Sequence, residues 1–230
     1  SFDLYCKLKK AASLSGAKFL YETNVGAGLP VIGTLNDLRG SGDKILKIEA
    51  VLSGTLSYIF NSFSGEKTFS EVVYMAMKNG YTEPDPRDDL NGIDVARKLL
   101  ILAREIGMSL ELNDIKVENL VPESCKSVPT IEMFFEELEK ADKDFEIRRK
   151  SAEKEGKVLR YIAILENGDA QVTLQTVDSD HPFHNLSGSD NIISFTTDRY
   201  HDRPLVIKGP GAGAEVTAAG LFADIIRILN

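Results

Sequence analysis

Residues 158–177 read VLRYIAILENGDAQVTLQTV, and this stretch decides the fold class. Val158 to Glu166 and Ala170 to Val177 are runs of strand-forming residues, and Asn167, Gly168 and Asp169 between them supply turn chemistry, so the spacing predicts an antiparallel hairpin. Further strands are expected at Asn191 to Thr197 and Leu205 to Lys208 on one side and at Ile45 to Leu52 on the other. Helical spacing places helices at Phe2 to Ser15, Leu56 to Phe63 and Phe69 to Asn79, with two charged helices at Ile131 to Glu139 and Asp142 to Glu155. Lys18 to Glu22 alternates like a strand. Pro30 suits the first turn of a helix running to Gly40. Hairpin-like neighbours mixed with helices imply an α+β fold, a mixed β-sheet with helices packed on one face.

The 230 residues are 43% hydrophobic with no long apolar run, which predicts a globular chain that does not enter a membrane. The start carries no signal-peptide pattern. Cys6 and Cys125 are far apart and lack CxxC spacing, so reduced thiols in a cytoplasmic setting and no zinc site are expected. A formal net charge of -8 argues against nucleic acid as partner. The basic residues Arg148, Arg149, Lys150, Lys154 and Lys157 lie among acids in a mixed-sign run, the pattern of a solvated helix face. HPFH at 181–184 lacks the geometry of a metal site and reads as a turn.

The chemistry concentrates in GYTEPDPRDDLNGIDVARK, Gly80 to Lys98. Pro84 and Pro86 stiffen an extended loop carrying Glu83 and Asp85, and Asn91 is the expected N-cap of a helix that Gly107 stops. Asp94 and Lys98, four apart, share one face of that helix, and the Lys98 stem lies along Val95, Leu99 and Leu102. Such a pair alone is an ordinary surface ion pair. Five carboxylates at Glu83, Asp85, Asp88, Asp89 and Asp94, however, repel one another unless they receive a cation, a metal or an amino-bearing ligand. Lys98 is then a substrate-binding charge or a proton donor.

Two glycine-rich stretches stand apart. LVIKGPGAGAEVTAAGLFADIIRIL combines a strand, a loop with Gly209, Gly211 and Gly213, and a helix whose first turn holds Thr217, a place for an anion or simply a tight corner. It does not match G-x-G-x-x-G. VGAGLP, residues 25–30, makes a turn whose carbonyls beside Glu22 could hold a monovalent cation.

Four motifs, ETNVGAGLP (Glu22 to Pro30), LSGTLSYIF (Leu52 to Phe60), GYTEPDPRDDLNGIDVARK and KGPGAGAEVTAAG (Lys208 to Gly220), occur in the order and approximate spacing of the homoserine dehydrogenases, which the chain resembles over nearly its whole length. The resemblance implies reduction of L-aspartate 4-semialdehyde to L-homoserine with NADPH or NADH, a step toward threonine and methionine. It implies that Glu83, Asp89 and Asp94 bind substrate, Asp94 also positioning Lys98, which donates the proton. It places Gly211, Gly213 and Thr217 at the cofactor, and a structural Na+ or K+ at Glu22 and the carbonyls of Val25, Ala27 and Leu29. A homodimer and a fused aspartate kinase are the implied partners.

The family places a dinucleotide-binding domain before this region. Residues 1–20 resemble the tail of that domain, 21–207 the catalytic and dimerisation domain, and 208–230 a segment returning toward the cofactor. The expectation is a chain that keeps most substrate ligands, binds cofactor poorly and by itself turns over negligibly. Two other readings fit the residues: a non-catalytic domain that binds an amino acid and dimerises, and a hydrolase using Mg2+ or Mn2+ at DPRDD.

Overall fold

The structure, a computed structural model, describes residues 1–229. In chain order its elements are α1 (Phe2–Ser15), α2 (Val31–Gly40), β1 (Ile45–Val51), α3 (Gly54–Ser62), α4 (Phe69–Lys78), α5 (Pro86–Leu90) and α6 (Ile93–Glu105). There follow β2 (Lys116–Val117), α7 (Ile131–Lys154), β3 (Val158–Glu166), β4 (Asp169–Val177), β5 (Asp190–Thr197), β6 (Leu205–Pro210) and α8 (Ala214–Leu229).

The hairpin forms as its sequence predicts. β3 and β4 pair in register from Val158↔Val177 to Glu166↔Asp169. Asn167 (φ 51°) and Gly168 (φ 89°) between them are both left-handed, the turn geometry whose twist matches that of the strands. The sheet order is β2-β4-β3-β1-β5-β6. Among the described residues only the short β2–β4 pairing is parallel, so the sheet is mixed. Ala50 of the central β1 pairs with Ala163 of β3 and Ile193 of β5.

Alternation along the strands separates two faces. Leu159, Tyr161, Ala163 and Leu165 of β3 join Ile48, Ala50, Ile193 and Phe195 in the main core, which the helices cover. Across the core Phe69 of α4 stacks on Phe145 of α7 with centroids 3.7 Å apart. Ile162, Ile164, Val51 and Ile192 point the other way, where Phe183 and Leu186 cover them. HPFH is the turn that carries Phe183: the His184 amide donates to the His181 carbonyl at 3.0 Å.

Three expectations fail. Lys18 to Glu22 is no strand; Phe19 and Leu20 are exposed in coil and Glu22 opens a single 3-10 turn, Glu22–Asn24. The two charged helices are the single α7, because no glycine or proline interrupts residues 131–154 and Phe134, Leu138, Phe145, Arg149 and Ala152 share one buried stripe. Asn91 is not the N-cap of α6; Gly92 at φ 74° holds that position.

Candidate functional site: an acidic cleft beside Lys98

The acidic loop is more structured than an extended segment. Pro86 starts α5, and Asp85 caps it by accepting the Arg87 amide at 3.0 Å while gripping the Arg87 guanidinium at 2.6 Å. Arg87 also donates to the Val128 carbonyl at 2.7 Å, tying the loop to the segment before α7. The Arg87 hydrogen bonds hold the Asp85 carboxyl below the ordinary aspartate value. Asp85 is thereby a structural acid.

Asn91 ends α5, and its Oδ1 accepts the Ile93 amide at 2.8 Å, starting α6 from one residue further back. Between them Gly92 is irreplaceable, since a Cβ there would lie 2.0 Å from the Tyr161 hydroxyl. That hydroxyl donates to the Glu118 carbonyl at 2.6 Å. The acidic loop and the start of α6 are thus seated on β3.

Above this seat lies a cleft of about 500 Å³ lined by Glu83, Asp88, Asp89 and Asp94 together with Ser53, Asn91 and Arg97. Asp89 folds the loop back by accepting the Glu83 amide at 2.8 Å. Burial pushes the Asp89 carboxyl above its ordinary value, the charges of Glu83 and Asp88 push the same way, and the bond from the Glu83 amide offsets only part of this. Four carboxylates around one opening favour a cationic group inside it.

Lys98 stands behind this wall. Its ammonium pairs with Asp94 Oδ2 at 2.8 Å and donates to the Leu52 carbonyl at 2.9 Å. An ammonium has three donors, and two are engaged among the described residues. Leu52 follows β1 directly and precedes Ser53, the N-cap of α3, whose hydroxyl accepts the Leu56 amide at 3.1 Å. The structure therefore brings Glu83, Asp89 and Asp94 to one cleft, with Lys98 reaching it through Asp94. The Leu52 carbonyl carries no sequence signal beyond its motif.

The glycine-rich stretches meet elsewhere. α8 packs on VGAGLP so closely that a Cβ on Gly28 would lie 2.3 Å from the Val216 carbonyl, and one on Gly220 would lie 2.7 Å from Thr23. Gly211 passes over the side chain of Asn191, Gly213 is left-handed at φ 126°, and the Thr217 amide donates to the Gly213 carbonyl at 3.1 Å. Ala212 touches the start of α3, its Cβ lying 3.7 Å from where a Gly54 Cβ would stand. One end of the sheet thus carries both the cleft and the glycine loop.

Glu22, expected beside a cation, has other partners. Its carboxylate, 5% exposed, accepts the amides of Ile32 at 2.6 Å and Gly33 at 2.8 Å and pairs with Arg227 at 3.2 Å. It caps α2 from outside the helix. Asp224 accepts the Glu22 amide at 2.9 Å and holds Arg227 at 2.9 Å. Of the expected carbonyls, that of Leu29 accepts the Val31 amide at 2.9 Å. These three donors give the Glu22 carboxylate a structural role at the start of α2. Asp224 and Arg227, three apart in an apolar helix, signal that this helix carries a polar contact without indicating its partner.

The family model for homoserine dehydrogenase matches residues 30–226. The maize chloroplastic bifunctional aspartokinase/homoserine dehydrogenase 1 is 56% identical over 228 residues, 98% of this chain and 25% of that protein. The homoserine dehydrogenase of Schizosaccharomyces pombe is 52% identical over 238 residues, 100% of this chain and 63% of that protein. A hyperthermophilic archaeal homoserine dehydrogenase in complex with NADPH superposes with a TM-score of 0.74 at 26% identity, covering 99% of this chain and 60% of that one. The chain thus spans from a quarter to under two thirds of the length of these relatives, and the motifs around its acidic cleft lie within the matched region. The chain belongs to the homoserine dehydrogenase family.

Proposed function

We propose that this chain is the substrate-binding catalytic region of an enzyme that reduces L-aspartate 4-semialdehyde to L-homoserine. The observation that carries the reading is the cleft of four carboxylates with Lys98 fixed behind it by Asp94 and the Leu52 carbonyl. Glu83 and Asp89 hold the substrate ammonium, and Asp94 aims Lys98. A bound NADPH or NADH supplies the hydride. As the aldehyde oxygen gains negative charge, the Lys98 ammonium stabilises it and gives it a proton. Gly211, Gly213 and Thr217 are our candidates for the cofactor side. For a Na+ or K+ we propose the carbonyls of Val25, Ala27 and Leu29, with Glu22 acting by bracing α2 next to them.

Exposed apolar side chains support a missing neighbour on the cofactor side: Leu4, Leu8 and Leu14 on α1, and Leu221, Phe222, Ile225 and Ile228 on α8. We read residues 1–20 and 208–230 as parts that meet a nucleotide-binding domain, around a catalytic body at 21–207. By itself the chain then binds cofactor weakly and turns over negligibly. A homodimer, a fused aspartokinase of the kind named in the maize relative and a cytoplasmic setting complete the proposal. No helix among the described residues is long and apolar enough to cross a membrane.

The test is steady-state kinetics of the longer enzyme that contains this region. Lys98→Ala is expected to lower kcat by about 10²- to 10⁴-fold with little change in semialdehyde KM. Unchanged kcat would leave a non-catalytic amino-acid-binding domain as the better reading.

A further inference from the structure

The side chain of Asn191 is fully buried, and both its nitrogen and its oxygen lack a hydrogen-bond partner, the one such side chain among the described residues. A buried carboxamide without partners raises the free energy of the fold, and in native proteins such a group has a reason. Asn191 stands on β5 opposite Gly209 of β6, on the helix-covered face with Ile193 and Phe195. Immediately over it runs the glycine loop. A Cβ on Gly211 would lie 2.0 Å from Asn191 Cγ, 2.2 Å from its oxygen and 2.3 Å from its nitrogen.

The loop from Gly209 to Gly213 therefore lays its Gly211 backbone against the orphan carboxamide. That loop holds three glycines, and Gly213 occupies a conformation at φ 126° that other residues rarely adopt. Its neighbour Ala212 abuts the start of α3, and its far end launches α8. The loop has the freedom to shift by the small amount that would turn contact into hydrogen bonds.

We propose that Asn191 is a positioning residue for the nicotinamide cofactor, one that rests on the dehydrogenase reading and extends it. When the dinucleotide docks on the glycine loop, the loop re-seats and its peptide groups take up the Asn191 oxygen and nitrogen. Bonds to Asn191 that form with binding favour the bound state.

The experiment uses the longer enzyme with NADPH and NADH. Asn191→Leu removes the orphan group at similar volume, and the expected result is an unchanged or higher ligand-free Tm, a smaller Tm rise on adding cofactor, and a cofactor KM about tenfold higher with kcat within about twofold. An unchanged cofactor KM overturns the proposal, as does an effect confined to kcat or to the semialdehyde KM. If the leucine variant does not fold, Asn191→Ser decides, since its short hydroxyl stays polar but cannot reach the loop as the carboxamide does and should raise the same KM. An enzyme that reduces the semialdehyde with normal cofactor KM in both variants removes this inference alone. One with no dehydrogenase activity before substitution removes the dehydrogenase reading with it.

Discussion

Replacing Glu22 with alanine tests whether this carboxylate serves the fold. The buried side chain satisfies two amides at the start of α2, at 2.6 and 2.8 Å, and one arm of Arg227. A hydrogen bond to a charged group contributes about 1.5–3 kcal/mol, and losing it leaves a buried amide unpaired. Arg227 is 46% exposed, so its share is discounted to under about 1 kcal/mol. The expected loss is about 3–5 kcal/mol, a large part of a typical domain stability of about 5–15 kcal/mol. Glu22→Gln keeps one acceptor but turns an NH2 toward the other amide, and should lose about half as much. The assay is urea unfolding followed by far-ultraviolet circular dichroism in sodium, potassium and choline chloride. A cap predicts the same loss in all three salts. A loss below about 1 kcal/mol, or one present only with Na+ or K+, would refute the capping argument and return Glu22 to the cation.

Asp89, whose carboxyl is raised by burial and by Glu83 and Asp88, should lose affinity for an ammonium ligand as pH falls, beginning above the ordinary aspartate value of 3.8; calorimetry of L-homoserine binding should show the dependence and Asp89→Asn should flatten it. Because the folded state holds that proton more tightly than the unfolded one, the same variant should raise the urea midpoint at neutral pH, with a gain that shrinks on acidification. Gly92→Ala should cost more than about 3 kcal/mol through the Tyr161 collision and the left-handed backbone, and Tyr161→Phe in that background should recover part of it. Glu105 is buried, which pushes its carboxyl up, yet hydrogen bonds from Tyr21 and Tyr5 and the Lys9 ammonium bring it below its ordinary value. Its stabilisation is present above about pH 4.5 and lost as pH falls through the lowered value. Glu105→Gln should therefore loosen α1 in hydrogen exchange, and the Tyr5 hydroxyl, pushed up to about 12 mainly by burial, should ionise earlier in the variant.

The hairpin, α6 and the acidic cluster were legible because each rests on local grammar: a turn at Asn167 and Gly168, apolar spacing after Ile93, and prolines fixing Glu83 and Asp85. Lys18 to Glu22 misled because alternation says nothing about whether a partner strand exists, and none pairs with it in the sheet. β2 is two residues long, too short for any period. Asn91 failed as a cap by one position, since Gly92 can take the left-handed conformation and leave Asn91 to end α5. The partners of Glu22 come from Asp224 and Arg227, some two hundred positions away in sequence, and only the folded chain brings them together. Lys98 and Asp94 pair across one helical turn as their spacing predicts, but the Leu52 carbonyl that fixes the ammonium belongs to the backbone, which leaves no trace in composition.

The central place of β1 in the sheet governs when the cleft can exist. β1 is synthesised well before its neighbours, residues 158–166 and 190–197, so its edges wait through roughly a hundred residues of chain before pairing, a costly loop to close. Folds dominated by such distant pairings form slowly. The acidic loop lies inside that closure, and the carbonyl that orients Lys98 hangs from the end of the waiting strand. Substitutions that delay β1 pairing should therefore lower the yield of competent protein made per chain, while the molecules that do fold keep a normal cleft.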